Sequence, residues 1–275
     1  MIMKQLKIAV ISAAMLLGAV SCQNEEAEIK MTNIEAEQEA IAENLLADVD
    51  ALTDEAVDIQ LDWLKSGSAS ESDLVDDCPV VTYDKTSTPR KIILDYGTGC
   101  VGKDDKTRSG KIVITSTAFE NLTVTRVKTF DNFYVEGKKI EGKISKTVIF
   151  SREDRTRIAK VEEDIKVIFE DNAFLTRKAN LTRGHFLGVP AVRMDDETKT
   201  WGEVITKRAS GVTITKTIEE TIPLLFKAGC RQIVSGIVTF ANGDTTWTID
   251  YGTGECDNTA TITRDGETKT VKLKK

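Results

Sequence analysis

Lys111-Ile112-Val113-Ile114-Thr115-Ser116-Thr117 and Ile144-Ser145-Lys146-Thr147-Val148-Ile149 decide the fold class. Both are rich in threonine and β-branched apolar residues, and both alternate toward period two, the pattern of a strand with one wet face. Leu122-Thr123-Val124-Thr125-Arg126-Val127 and Val212-Thr213-Ile214-Thr215-Lys216-Thr217 repeat the texture. Turn residues separate such runs every ~10 to 15 positions, at Glu136-Gly137-Lys138, Ser151-Arg152-Glu153-Asp154, Asn242-Gly243-Asp244 and Arg264-Asp265-Gly266. Only four prolines occur in 275 residues, so few strand interiors are interrupted. From position 78 to 275 the chain therefore reads as mainly β: a long antiparallel meander, either an open curved sheet or a sandwich.

Two stretches of that β region repeat each other. Lys91-Ile92-Ile93-Leu94-Asp95-Tyr96-Gly97-Thr98-Gly99-Cys100 matches Thr246 to Cys256, where Asp250-Tyr251-Gly252-Thr253-Gly254 is followed by an inserted Glu255. Cys78 and Cys230 stand upstream in matching positions. The two copies are hairpins over 78–100 and 230–256. Folding at Pro89 brings Cys78 opposite Cys100, and folding at Gly243 brings Cys230 opposite Cys256. Of three possible connectivities this one is favoured, each bridge closing a loop worth roughly 3 kcal/mol in the chain-entropy model.

The repeated Asp-Tyr-Gly-Thr-Gly has a structural and a chemical reading. Gly97, Gly99, Gly252 and Gly254 permit positive φ at a strand end, and Tyr96 and Tyr251 can cover them. The chemical reading makes Asp95 and Asp250 ligands or acids. Because the motif occurs twice beside a cysteine pair, the structural reading is preferred.

Before the β region lies a segment of opposite charge. Residues 22–77 carry 17 acidic and 2 basic side chains, net −15, while 78–275 carry 27 acidic and 33 basic, net +6. Thr32-Asn33-Ile34-Glu35 reads as a capping box. Ile34, Ile41, Leu45, Val49, Leu52, Ala56, Ile59 and Trp63 then form one stripe of an amphipathic helix. The acidic helical segment spans 32–66, with Thr53-Asp54-Glu55 as a restart and 67–77 as a polar connector. Its acidic polar face would be repelled by anionic headgroups, so the stripe is expected to pack on the protein's own sheet.

Residues 1–21 have the layout of a secretory signal: Lys4 and Lys7, an apolar run from Ile8 to Leu17, then small residues. Ala19-Val20-Ser21-Cys22 resembles a bacterial lipobox, in which Cys22 carries acyl chains such as palmitate and begins the mature protein. Ordinary secretory cleavage also suits Ala19-Val20-Ser21, but would leave Cys22 a free thiol in an oxidising compartment. Residues 22–31 are the tether.

Motifs of chemistry are sparse. His185 is the only histidine, and the cysteine spacings match no zinc pattern, so no metal or cofactor is expected. Asp104-Asp105, in Val101 to Arg108, and Asp195-Asp196 read as solvated acidic turns. Asp244-Thr245-Thr246 resembles the short O-glycosylation pattern of secreted Bacteroidota proteins, though a hairpin turn needs the same residue types. No phosphate loop, dinucleotide fingerprint or nucleophile elbow is present. The basic excess is too dilute for nucleic acid.

The lipobox, the leader from Ala47 to Ala56, Asp95 to Cys100 with Arg108 to Ile112, Phe130 to Gly137 with Ile140 to Gly142, and Cys230 to Ala260 together resemble a group of Bacteroidota lipoproteins. The group brings no established activity. The resemblance implies an outer-membrane lipoprotein, anchored to the membrane through Cys22 and exposed to the periplasm or the cell surface. The expectation is a non-enzymatic binding or structural module for a protein or glycan partner. Two alternatives are a lipid carrier on a curved sheet and a glycan-active hydrolase, which needs two carboxylates about 5 to 9.5 Å apart.

Overall fold

A computed structural model describes residues 38, 41–42, 45–46, 48–57, 78–84, 86–102, 104–151, 153, 156–169, 173–186, 196–227, 229, 232–257 and 259–272. The signal, Cys22, the tether, the Thr32 capping box, the 67–77 connector, Asp195 and Cys230 lie outside these residues. The chain divides into two units, Met1–Asp48 and Val49–Lys275. In the first, every described residue is helical, including Ile41 and Leu45 of the expected stripe.

The second unit begins with helix α1, residues 49–57. Val49, Thr53, Ala56 and Val57 are its buried positions, a spacing of four, three and one that makes one face. The expected restart at Thr53 does not occur. Its hydroxyl donates to the Val49 carbonyl at 2.7 Å, one turn back, so it serves the same helix and caps no new one.

Fifteen strands follow among the described residues: β1 (Val80–Asp84), β2 (Arg90–Asp95), β3 (Cys100–Val101), β4 (Thr107–Ser116), β5 (Thr123–Val135), β6 (Lys138–Ser151), β7 (Thr156–Ile168) and β8 (Phe174–Phe186), then β9 (Glu197–Arg208), β10 (Thr213–Ile218), β11 (Leu224–Lys227), β12 (Gln232–Asn242), β13 (Thr245–Thr253), β14 (Thr259–Arg264) and β15 (Glu267–Lys272). They form one hydrogen-bonded antiparallel sheet in the order β1-β2-β4-β5-β6-β7-β8-β9-β10-β12-β13-β14-β15. β3 pairs with β4, and β11 fills the gap between β9 and β12 beside β10. This is the long meander the alternation implied, realised as one sheet.

Residues opposite each other across an antiparallel pair share a face, so register sorts the sheet into two surfaces. Ile112, Ile114, Phe133, Ile140, Ile144, Ile165, Val167 and Leu175 lie on the α1 side and are fully buried. In β7 the alternation is explicit: Ala159, Val161, Glu163 and Ile165 are buried, while Lys160, Glu162 and Asp164 are exposed. The tight β5–β6 turn uses Glu136 (φ 49°) and Gly137 (φ 75°), and the β14–β15 turn uses Asp265 and Gly266 in the same conformation.

Glycines inside strands bring backbones closer than any side chain allows. At Gly142 (φ 110°) an added Cβ would sit 2.0 Å from the Asp164 carbonyl oxygen, and at Gly110 (φ 79°) it would sit 2.0 Å from that of Asn132. Gly110 marks a register shift between β4 and β5, the kind of bulge that bends a strand and increases its twist.

Candidate functional site

The Asp-Tyr-Gly-Thr-Gly turns serve the backbone. Asp95 Oδ1 accepts from the Gly97 amide at 2.9 Å, and Asp250 Oδ1 accepts from the Gly252 amide at 2.8 Å. Asp95 also pairs with Lys111 at 2.7 Å; that hydrogen bond, with the Gly97 amide, lowers its pKa. Tyr96 is buried with its ring 5.5 Å from Phe133, and Tyr251 packs against a cluster of Ile218, Leu224 and Val238. The copies diverge after the aspartate. β2 ends at Asp95 and the chain turns through Gly97 and Gly99 into β3, whereas β13 runs on to Thr253, with Gly254 donating to the Val234 carbonyl.

Cys78 and Cys100 form a disulfide. Cys256 is also disulfide-bonded, and its partner lies outside the described residues. Thr98 and Gly99 of the first motif line a shallow pocket of about 320 Å³, with Thr107, Ser109 and Tyr134 opposite. The motif thus shapes a depression through its glycine end, while Asp95 faces Lys111.

Asp104 is more than a solvated turn residue. Its carboxylate takes both terminal nitrogens of Arg108, at 2.9 and 2.6 Å, and the Arg108 side chain is only 1% exposed. A forked guanidinium buried this far needs a bidentate counter-ion. That interaction drives the Asp104 carboxyl well below its usual range, against the opposing effect of burial.

The central strands carry their excess of positive charge on the α1 side. By register, Arg126 and Lys128 of β5, Lys146 of β6, Arg157 of β7, and Arg177 and Arg183 of β8 share that face with a single acid, Glu163. Glu163 accepts from Arg177 Nε at 2.7 Å in a buried pair. Helix α1 supplies the remaining anions. Asp50 accepts from Lys128 and, at 3.0 Å, from Arg183; Asp54 accepts from Lys146 at 2.7 Å. Tyr83 of β1 donates to the Ala56 carbonyl, fastening the helix end. Helix α1 therefore docks onto the basic sheet through Asp50, Asp54 and the Ala56 carbonyl.

These contacts decide ionisation. Burial works to raise the Asp50 pKa, but Lys128 and then Arg183 outweigh it and hold the carboxyl at about 2 instead of 3.8. Asp50 is a permanent counter-ion at neutral pH.

His185 lies on the same face, directly opposite Arg157. Its Nδ1 is 2.9 Å from Thr198 Oγ1. Burial lowers its pKa below the ordinary 6.5, and Lys146, Arg157 and Arg183 add to that effect while Asp54 opposes it. The sequence showed His185 only as the sole histidine of the chain. Its cationic surroundings were invisible there, because they come from three different strands.

No family model, no curated protein and no solved structure matches this chain.

Proposed function

We propose that this protein is a lipid-anchored module of the bacterial outer membrane, tethered through Cys22 and facing the periplasm or the cell surface, that binds a partner without catalysis. The reading rests on the lipobox and on the likeness to Bacteroidota lipoproteins. One structural observation supports its non-catalytic part: the carboxylates facing the centre of the sheet each hold a cation. Asp50 serves Lys128 and Arg183, Asp54 serves Lys146, and Glu163 serves Arg177. A general acid needs a pKa near the working pH, whereas Asp50 is held at about 2.

Metabolic labelling with palmitate tests the anchor. Wild-type protein should take up label and fractionate with the outer membrane, and Cys22→Ala should do neither. An unlabelled wild type would sink the anchored reading. Release of sugar from a chromogenic glycoside, abolished by Glu163→Gln, would overturn the non-catalytic one.

A further inference from the structure

Five residues form a row across the α1 side of the sheet. Phe150 of β6 stands opposite Arg157 of β7, Arg157 opposite His185 of β8, His185 opposite Thr198 of β9, and Thr198 opposite Phe226 of β11. Arg183 is two residues before His185 on the same face, and Lys146 lies on β6. Three neighbouring cations on β6 to β8 of this face have acidic partners: Lys146 holds Asp54, Arg177 holds Glu163 and Arg183 holds Asp50. Arg157 is exposed and has no acidic partner among the described residues.

We propose that Arg157 and His185, with Arg183 and Lys146 beside them, form a binding site for a phosphate group, either free or carried by a lipid headgroup. The proposal deepens the binding-module reading and rests on it. A directly opposed pair of side chains has Cβ atoms about 5 Å apart, close enough for one phosphate to bridge a guanidinium and an imidazole. Arginine offers a planar fork that matches phosphate oxygens. The surrounding charge leaves one cation over: Lys146 from β6 and Arg183 from β8 face His185 with Asp54 and Asp50 of α1 on them, Arg157 from β7 faces it without an acid, and Thr198 from β9 is neutral.

Histidine makes the site proton-linked. Burial, and after it the three cations, hold the imidazole pKa below 6.5. A bound phosphate anion opposes the local positive field, so the ring takes a proton from solvent. Its Nδ1–H then donates to Thr198 Oγ1 and its Nε2–H to a phosphate oxygen. At the ends of the row, Phe226 is 38% exposed, and Phe150 meets Phe119, itself 57% exposed, at 5.6 Å. Those rings give the organic part of an ester an apolar surface to lie on.

His185 is the sole histidine of the chain, so its ring resonance in full-length protein without a histidine tag reads the site alone. Inorganic phosphate should raise its pKa by about one unit. Arg157→Gln, an exposed substitution that the fold tolerates, should weaken phosphate binding about tenfold and abolish the shift. Lys160→Gln, on the other face of the same strand, should change neither. Vesicles of phosphatidylglycerol compared with free phosphate separate the sources. A response at lower phosphate concentration with vesicles assigns the site to a headgroup, and a response to the free ion alone assigns it to phosphate in solution. A ring unmoved by both, or moved equally in Arg157→Gln, overturns the site. In a protein that still labels with palmitate and fractionates with the membrane, that result leaves the anchored-module reading standing.

Discussion

At the scale of single residues, the charges of this protein are arranged so that one carboxylate secures two cations. Lys128 is 2% exposed along its side chain, and Asp50 is its counter-ion. Removing one partner of a buried pair leaves an uncompensated charge and costs about 3 to 5 kcal/mol. Asp50→Asn is therefore expected to lose about 3 kcal/mol in urea unfolding at neutral pH; a loss below about 0.5 kcal/mol would show that Lys128 is solvated. The pH dependence follows from the depressed pKa. The unfolded carboxylate binds a proton at 3.8 and the folded one at about 2, so its stabilisation is present above 3.8 and disappears as pH falls toward 2. That amounts to about 2 kcal/mol. His185 acts in a higher window. Its folded pKa lies below 6.5, so below 6.5 the unfolded chain binds more protons, and stability falls as pH drops from 6.5 through the folded value. His185→Gln should flatten this limb while leaving the Asp50 limb intact, as read by unfolding midpoints taken every half unit of pH. An unchanged limb would mean that the ring is solvated in the folded state.

At the scale of elements, what was legible depended on whether the signal was local. Alternation in Lys111 to Thr117 and Ile144 to Ile149 marked β4 and β6, although the strands extend to Thr107 and Lys138, where glycine and charge break the pattern. Turns with Asn-Gly or Asp-Gly chemistry were readable for the same reason, since two residues suffice to set them. The helix stripe was readable at Val49 and Ala56, but its anchoring cations were not, because Lys128, Lys146 and Arg183 sit on separate strands. The strand glycines had a visible signal, a lone glycine within an apolar alternation, whose meaning depends on the neighbouring backbone. Gly142 tests that meaning. A Cβ there meets the Asp164 carbonyl at 2.0 Å and needs a positive φ. Gly142→Ala should cost about 2 to 4 kcal/mol, with β6 and β7 losing amide protection first in hydrogen exchange. A variant of wild-type stability would show that the two strands separate freely at this point.

At the scale of the whole molecule, the sheet order constrains which cysteines meet. β2 and β12 are separated by β4, β5, β6, β7, β8, β9 and β10, and each hairpin is followed by the next strand of the meander, β4 after β1-β2 and β14 after β12-β13. Each strand step is about 4.8 Å, so pairing across the copies is not a local event, whereas pairing within a copy joins the ends of one hairpin. Cys78 and Cys100 already satisfy each other across a sequence separation of 22. Cys256 is disulfide-bonded as well, which leaves Cys22 and Cys230 as its possible partners in a chain with five cysteines. The β12–β13 register, with Asn242 opposite Thr245 and Ser235 opposite Thr253, makes the second copy a hairpin as the sequence implied. Cys230 is therefore the expected partner, and Cys22 stays available for acylation. Peptide mass mapping without reduction should recover Cys230 linked to Cys256, and a diacylated N-terminal peptide separate from both. A Cys22–Cys256 link would remove the thiol that the lipid anchor requires, and would overturn the hairpin pairing and the anchor in one measurement.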